Sequence, residues 1–400
     1  MIRISALADS VQPSATLAAG AKARVLKSKG ITVYDFSLGE PDFNTPRHIC
    51  AAAEQAMASG QTHYTPAGGT AELKKAIAAW YGRTYGLTCG PEHVLVSNGA
   101  KHSIHNALAA TVGPGDEVVI PTPYWVSYSD LVAMTGAKPV LVPTTLAQRF
   151  KMSPEQLKNA LTPKTRIVML NSPSNPTGAV YTRAELEALV DVVVPTEAAI
   201  LSDEIYELLC WGDAEPTCVA TLRPAMTDRM MTISGASKSY AMTGWRIGWT
   251  IAPAAVIKAM DTIQSQETSC PSSVSQAAMI TALESPESAV CIEAMRVEFA
   301  ARREVVYARL ADIPHLKFDR ANGAFYAFFQ VSDYFGKTFG DVKVTDSIGF
   351  CNALLEQAHV NLVAGSAFGT EGFVRMSFAC KLENIEAGLA KLKAWLATAQ

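Results

Sequence analysis

The chain has 400 residues, 49% hydrophobic and 18% charged, about two to three times the usual size of one domain and well suited to a large core. That composition excludes a coiled coil, a small disulfide scaffold and a disordered chain. With 34 Lys and Arg against 37 Asp and Glu, the net charge is −3, so no overall positive field draws a nucleic acid; small molecules are the expected partners.

From the N-terminus, residues 1–20 carry Arg3, Asp9 and Gln12 and lack the unbroken apolar core of a signal peptide. The longest membrane-span candidate, residues 188–201, is short and interrupted by Asp191 and Glu197, so no membrane partner is expected. The eight cysteines are dispersed with no C-x-x-C pair, which predicts free thiols, no metal site and a cytoplasmic location. Short apolar runs then recur between helical patterns: 94–97, 118–120, 140–142, 167–171, 199–203, 230–234 and 249–252. Helices are predicted over 101–111 and 183–193, the second with Thr182 as N-cap and Glu185 as its capping-box partner. Further on come a charged amphipathic helix over 293–310, strands around 323–330 and 372–378, and a final helix over 383–397. Ile385, Leu389, Leu392 and Leu396 form the core-facing stripe of that last helix.

This alternation predicts an α/β fold: a three-layer large domain with a mostly parallel seven-stranded sheet, plus a smaller α+β domain. The expected division is 1–45 as N-terminal arm and part of the small domain, 46–290 as the large domain, and 291–400 as the small C-terminal domain.

Asn171, Asp203 and Lys238 sit where predicted strands end, and ligands of open α/β sheets bind beyond the carboxyl ends of strands. Asn175 and Tyr206 lie in the same turns. A lysine among small residues, as in Ser234-Gly-Ala-Ser-Lys-Ser-Tyr240, can be desolvated toward a neutral nucleophile suited to a Schiff base. Most lone lysines in such turns are solvated, so context has to decide.

That context is Ser172-Pro-Ser-Asn-Pro-Thr-Gly178, Ser202-Asp-Glu-Ile-Tyr206 and Ser237-Lys-Ser-Tyr-Ala-Met-Thr-Gly-Trp-Arg246, in this order. With Ser37-Leu-Gly-Glu-Pro-Asp42, Tyr64-Thr-Pro-Ala-Gly-Gly69, Asn98-Gly-Ala-Lys101, Pro123-Tyr-Trp125 and Val374-Arg-Met-Ser377, the chain resembles the fold type I, class I/II aminotransferases that use pyridoxal 5'-phosphate. It resembles most their bacterial aspartate aminotransferase subgroup. The resemblance implies a ping-pong transfer of an amino group from an amino acid, aspartate or glutamate, to a 2-oxo acid. The alternatives are another amino-acid aminotransferase, including an aromatic one, and a C–S or Cβ lyase of the same fold.

It further implies that Lys238 carries the cofactor as an imine and moves the substrate's proton. Asp203 faces the pyridine nitrogen, Tyr206 and Asn175 bond the ring hydroxyl, and Trp125 stacks on the ring. Gly99, Ala100 and Lys101, with Ser237 and Arg246, hold the phosphate, Tyr64 reaching it from the second subunit of a homodimer. Gly39, Trp125, Asn175 and Arg375 contact the substrate. By strand alternation alone, Arg375 faces either the cleft or solvent. Gly235 stands where family members often carry a second serine, and Ser234 is a weaker candidate. Residues 266–271 hold no arginine and 102–110 no lysine to read a distal carboxylate; His102 and His105 lack the carboxylate partners of a metal site. No G-x-G-x-x-G or P-loop motif occurs, which disfavours a nucleotide-binding reading.

Overall fold

The computed structural model describes residues 2–11 and 13–400; Met1 and Gln12, the latter one of the polar residues that break the N-terminal stretch, lie outside them. The seven apolar runs form one sheet: β1 (Val94–Ser97), β2 (Glu117–Thr122), β3 (Lys138–Pro143), β4 (Thr165–Asn171), β5 (Ala199–Asp203), β6 (Met230–Gly235) and β7 (Gly248–Ile251). Their spatial order is β1-β7-β6-β5-β4-β2-β3. β3, β2, β4, β5 and β6 pair in parallel, while β7 is antiparallel to both β6 and β1, so β7 alone runs backwards.

Alternation along each strand divides the core into two faces. Ile167 and Met169 join Val118, Ile120 and Leu108 on one side. Val168 and Leu170 join Val119, Leu186 and Val190 on the other, beneath the helix Arg183–Val193. That helix starts where its sequence says it should: Thr182 accepts from Glu185 N–H at 3.2 Å while Glu185 accepts from Thr182 N–H at 2.7 Å.

Beyond the sheet, the helix Pro286–Ala311 begins well before the predicted residue 293. Its first turns expose Val290, so no apolar stripe marks them; the start is set by the Ser285 cap and by Pro286 at the first helical position. A second sheet, β8 (Lys317–Phe318), β9 (Tyr326–Gln330), β10 (Val363–Ala364) and β11 (Phe373–Ser377), is antiparallel in the order β10-β11-β9-β8. The helix Leu382–Leu396 packs there through buried Ile385, Leu389, Leu392 and Leu396. The N-terminal segment joins this part of the molecule, because Tyr34–Asp35 pairs in parallel with Val360–Asn361. All eight cysteines are free thiols. Among the described residues no helix is long and apolar enough to cross a membrane.

The two parts meet at the turn after β4. Gly178, at φ +66°, accepts from the amides of Asn322 and Gly323, and a Cβ there would lie 2.6 Å from Gly323 O. Gly178→Ala combines a left-handed backbone penalty with overpacking and is expected to cost about 2–4 kcal/mol. Urea unfolding measures it; a loss below that of an ordinary helix-cap removal, about 1 kcal/mol, contradicts this view of the turn.

Candidate active site

The carboxyl ends of β4, β5 and β6 open into a cavity of about 340 Å³. Asp203, the last residue of β5, lies in its wall and is buried. Its Oδ2 accepts from Tyr128 Oη at 2.5 Å and its Oδ1 from Ile205 N–H at 3.2 Å. Burial pushes its carboxyl up to about 6, against the two hydrogen bonds and the Lys238 charge, which favour ionisation. Asp203 is therefore mostly an anion at neutral pH.

Lys238, in the turn after β6, is half-buried in the same wall. Its Nζ donates to Gly39 O at 2.5 Å and stands 5.9 Å from the Tyr206 ring centroid. Burial lowers its pKa to about 8; Arg375 and Arg246 push the same way, while Glu40 and Asp203 oppose. A measurable fraction of neutral amine is thus present near pH 7.

Arg375, on β11, is 1% exposed, which decides the orientation that strand alternation left open. It donates through Nη1 to Asn175 Oδ1 at 2.9 Å and through Nη2 to Ser37 O at 2.6 Å. The rings of Tyr326 and Phe368 flank it at 4.5 and 5.0 Å, and its Nε has no hydrogen-bond partner. Among the described residues no carboxylate pairs with it, which leaves a buried guanidinium without a counter-ion. Asn175 is held in turn by Asn171, whose Oδ1 accepts the Asn175 amide and whose Nδ2 donates to Asp203 O. With its Oδ1 occupied by Arg375, Asn175 has Nδ2 to offer a ligand.

On the opposite wall, Ala100 and Lys101 open the helix Ala100–Thr111, which has no side-chain cap. Gly99, at φ +88°, lies just outside the lining, and a Cβ there would fall on the Arg246 guanidinium. Arg246 and Ser237 line the cavity beside this helix start. Arg246 donates to Thr243 O at 2.9 Å and Asn98 O at 3.2 Å, so backbone carbonyls orient it and no carboxylate among the described residues neutralises it. A helix N-terminus, a hydroxyl and a guanidinium together form an anion cradle. Trp125 is half-buried, with the Lys101 ammonium 5.0 Å from its ring.

Tyr64 is 92% exposed and outside the cavity of its own chain. Ser234 turns away, donating to Glu207 at 2.7 Å. His102 and His105 share one carboxylate, Glu267, at 3.4 and 2.9 Å, across a helix contact that a single-helix reading could not show, and among the described residues no group of His, Cys, Asp and Glu is arranged to hold a metal ion. Likewise residues 102–110 hold no lysine, yet the Lys101 side chain just before them enters the cavity. Sequence reasoning misses Tyr128 and Tyr326, both lining residues; Tyr128 opens the helix Tyr128–Met134 and its amide donates to Trp125 O at 2.9 Å, a turn that brings the two rings edge to face and that no motif marks.

Together the fold and the cavity define an α/β enzyme whose site sets a buried acid, a half-buried lysine and two guanidinium groups without carboxylate partners among the described residues around one cavity. The chain matches the family model of aminotransferase class I and II over residues 31–392 and belongs to that family. It is 44% identical over 389 residues to the aspartate/prephenate aminotransferase of Cereibacter sphaeroides, covering 97% of each chain. The crystal structure of the aspartate aminotransferase from Rhizobium meliloti superposes with a TM-score of 0.96 at 40% identity, covering 100% of both chains. That of the Thermus thermophilus enzyme with maleate gives 0.93 at 37%, covering 98% of this chain and 100% of the other. The protein is an aminotransferase.

Behind Asp203 lie two more buried carboxyls. Glu204 accepts from Ser202 Oγ and Val219 N–H; Glu207 accepts from Tyr85 Oη and Ser234 Oγ. Burial raises them to about 8 and about 7, with Glu207 adding to the shift at Glu204. The folded state thus holds the Glu204 proton more tightly than the unfolded chain, whose carboxyl titrates near 4.5. The associated stability is present below pH 4.5 and lost as pH rises through 8. Glu204→Gln is expected to flatten this decline and to melt higher than wild type above pH 8; thermal melts across pH 5–9 check it, and a parallel decline in both proteins would refute it.

Proposed function

We propose that the cavity binds pyridoxal 5'-phosphate and that the enzyme transfers the amino group of a dicarboxylic amino acid, aspartate or glutamate, to a 2-oxo acid in a ping-pong cycle. The observation that carries this reading is that Lys238, buried Asp203 and a buried Arg375 without a counter-ion among the described residues open onto one cavity. The residues fit the cofactor: an anion cradle for a phosphate, an aromatic face for a ring, and a carboxylate to hold a ring nitrogen protonated. When bound, the cofactor supplies an aldehyde that condenses with amines and a cationic ring that accepts the electron pair released at Cα.

The protein's own groups divide the remaining work. The backbone amides of Ala100 and Lys101 and the Ser237 hydroxyl, with Arg246 and the close approach at Gly99, hold the phosphate. Asp203 keeps the ring nitrogen cationic because burial leaves its charge unscreened, while Tyr128 and Ile205 keep it ionised. Trp125 covers a ring face, and Tyr206 and the Asn175 amide donate to the ring hydroxyl oxygen. Lys238, partly neutral near pH 7, takes the proton from the substrate's Cα. Arg375 binds the substrate's α-carboxylate beside the Gly39 backbone, which supplies its missing counter-ion.

Specificity rests on Lys101. Its ammonium stands over Trp125 in the wall of the cavity, which Ser14 and Thr16 also line, and among the described residues forms no close ion pair. A cation there suits a distal carboxylate, in keeping with the activity that relatives' names carry and with the maleate of the Thermus structure. Exposed Tyr64 supports a homodimer in which it completes the partner's phosphate site. The division into 1–45, 46–290 and 291–400 stays part of this proposal, supported by the pairing of Tyr34–Asp35 with Val360–Asn361. A cytoplasmic setting suits eight free thiols.

Purified protein is expected to show a visible absorption band that an amino donor bleaches. Lys238→Ala should lose this response and Asp203→Asn should lower kcat by about 10²–10³-fold. An unchanged band and turnover in both variants rejects the site. In a donor panel against 2-oxoglutarate and oxaloacetate, Lys101→Met is expected to raise KM for aspartate and glutamate roughly tenfold and leave that for monocarboxylic donors unchanged. Equal effects on both classes would remove Lys101 from side-chain recognition.

A further inference from the structure

Tyr326, on β9, joins three segments of the cavity that are far apart in sequence. Its hydroxyl lies 2.7 Å from the Tyr206 hydroxyl, and its ring face lies 4.5 Å from the Arg375 guanidinium. A Cβ on Gly39 would collide with the same hydroxyl, so a glycine is required there for Tyr326 to reach Tyr206. Tyr326 itself is fully buried, and its phenol is the hydrogen-bond partner that the structure gives to Tyr206.

Two hydroxyls in contact share one hydrogen between them, and the direction matters. In the pyridoxal phosphate reading, on which this inference rests, Tyr206 donates its hydrogen to the cofactor's ring oxygen. Its own oxygen must then accept from Tyr326. We propose that Tyr326 is a positioning residue that donates its hydroxyl hydrogen to Tyr206 and so aims the Tyr206 proton into the cavity. A phenol that accepts one hydrogen bond donates a stronger one, and both tyrosines are buried, which strengthens the coupling between their hydroxyls. The ring of Tyr326 acts separately, because its face lies against the otherwise unpaired Arg375. Hydroxyl and ring therefore make separable contributions, the first to the cofactor and the second to the carboxylate clamp.

Asp203, Tyr128, Lys238, Arg375 and Tyr326 are the titratable or charged groups that face Tyr206. All of them remain in Tyr326→Phe except the one hydroxyl. A bond donated to the ring oxygen lowers its basicity, so weakening that bond moves the pH midpoint of the bound cofactor's visible band upward.

The test is a spectrophotometric pH titration of the substrate-free holoenzyme in wild type, Tyr206→Phe, Tyr326→Phe and the double variant. Tyr206→Phe is expected to raise the midpoint by about 1 pH unit, the size of a lost hydrogen bond to a charged oxygen. Tyr326→Phe should raise it by roughly 0.3 unit through the lost cooperativity, and the double variant should match Tyr206→Phe alone. No shift in Tyr326→Phe, or a shift that persists on top of Tyr206→Phe, overturns the relay while leaving the cofactor site intact. A wild type that takes up no pyridoxal phosphate defeats the site reading, and the relay with it. Should Tyr326→Phe not fold, Gly39→Ala displaces the same hydroxyl from the other side; it is expected to raise the midpoint in wild type and not in Tyr206→Phe. Tyr326→Leu, which also removes the ring, should raise KM for the amino donor several-fold more than Tyr326→Phe; equal KM values would deny the ring its role at Arg375.

Discussion

Keeping charges of both signs apart and without ion-pair partners around one cavity is the constraint on which this structure turns. Asp203 and Arg375 are buried and Lys238 is half-buried in the wall of that cavity, and none is neutralised by a close ion pair within the described residues. Isolated buried charges are costly, so the surroundings supply what an ion pair would have supplied. Tyr128 and the Ile205 amide serve Asp203, the Gly39 carbonyl serves Lys238, and Asn175, Ser37 and two aromatic faces serve Arg375. These supports are neutral dipoles and ring faces. They stabilise the charges without cancelling them, which keeps the fields available to a ligand that brings its own complementary groups.

The support extends a layer deeper. Glu204 and Glu207 follow Asp203 within one turn and tie β5 to β6, to the helix Ala71–Tyr85 and to the segment at Val219. Their raised proton affinity means that they act near neutral pH largely as neutral or half-protonated hydrogen-bonding groups, so they add little negative charge behind Asp203. The strand end bearing Asp203 is anchored by polar contacts on one side and by apolar packing from Phe325 against Tyr206 on the other. A rigid shell of this kind lets the cavity hold several functional groups at fixed spacing.

Much of this was legible in the linear order of residues because parallel sheets advertise themselves. Their strands are buried on both faces and read as short apolar runs, and all seven runs became strands. Ligand-binding turns fall at the ends of such runs, so Asn171, Asp203 and Lys238 could be picked out. What the runs do not carry is direction, since β7 reads like its neighbours yet runs backwards. Nor do they carry contacts between elements. Tyr128, Tyr326 and the meeting of His102 and His105 with Glu267 each depend on two segments brought together by the fold.

Taken alone, the order of residues determined the kind of fold, the family and the set of side chains that carry charge into the site. Those are local properties: periodicity, capping, turn chemistry and short motifs survive in a one-dimensional reading because each is set by neighbours along the chain. The tertiary structure decided which way Arg375 faces, that its charge goes unmatched, that Ser234 serves Glu207, and that Lys101 brings a cation to the cavity wall. Desolvation decides each of these, and desolvation is a property of everything packed around an atom, from whatever distance along the chain it comes.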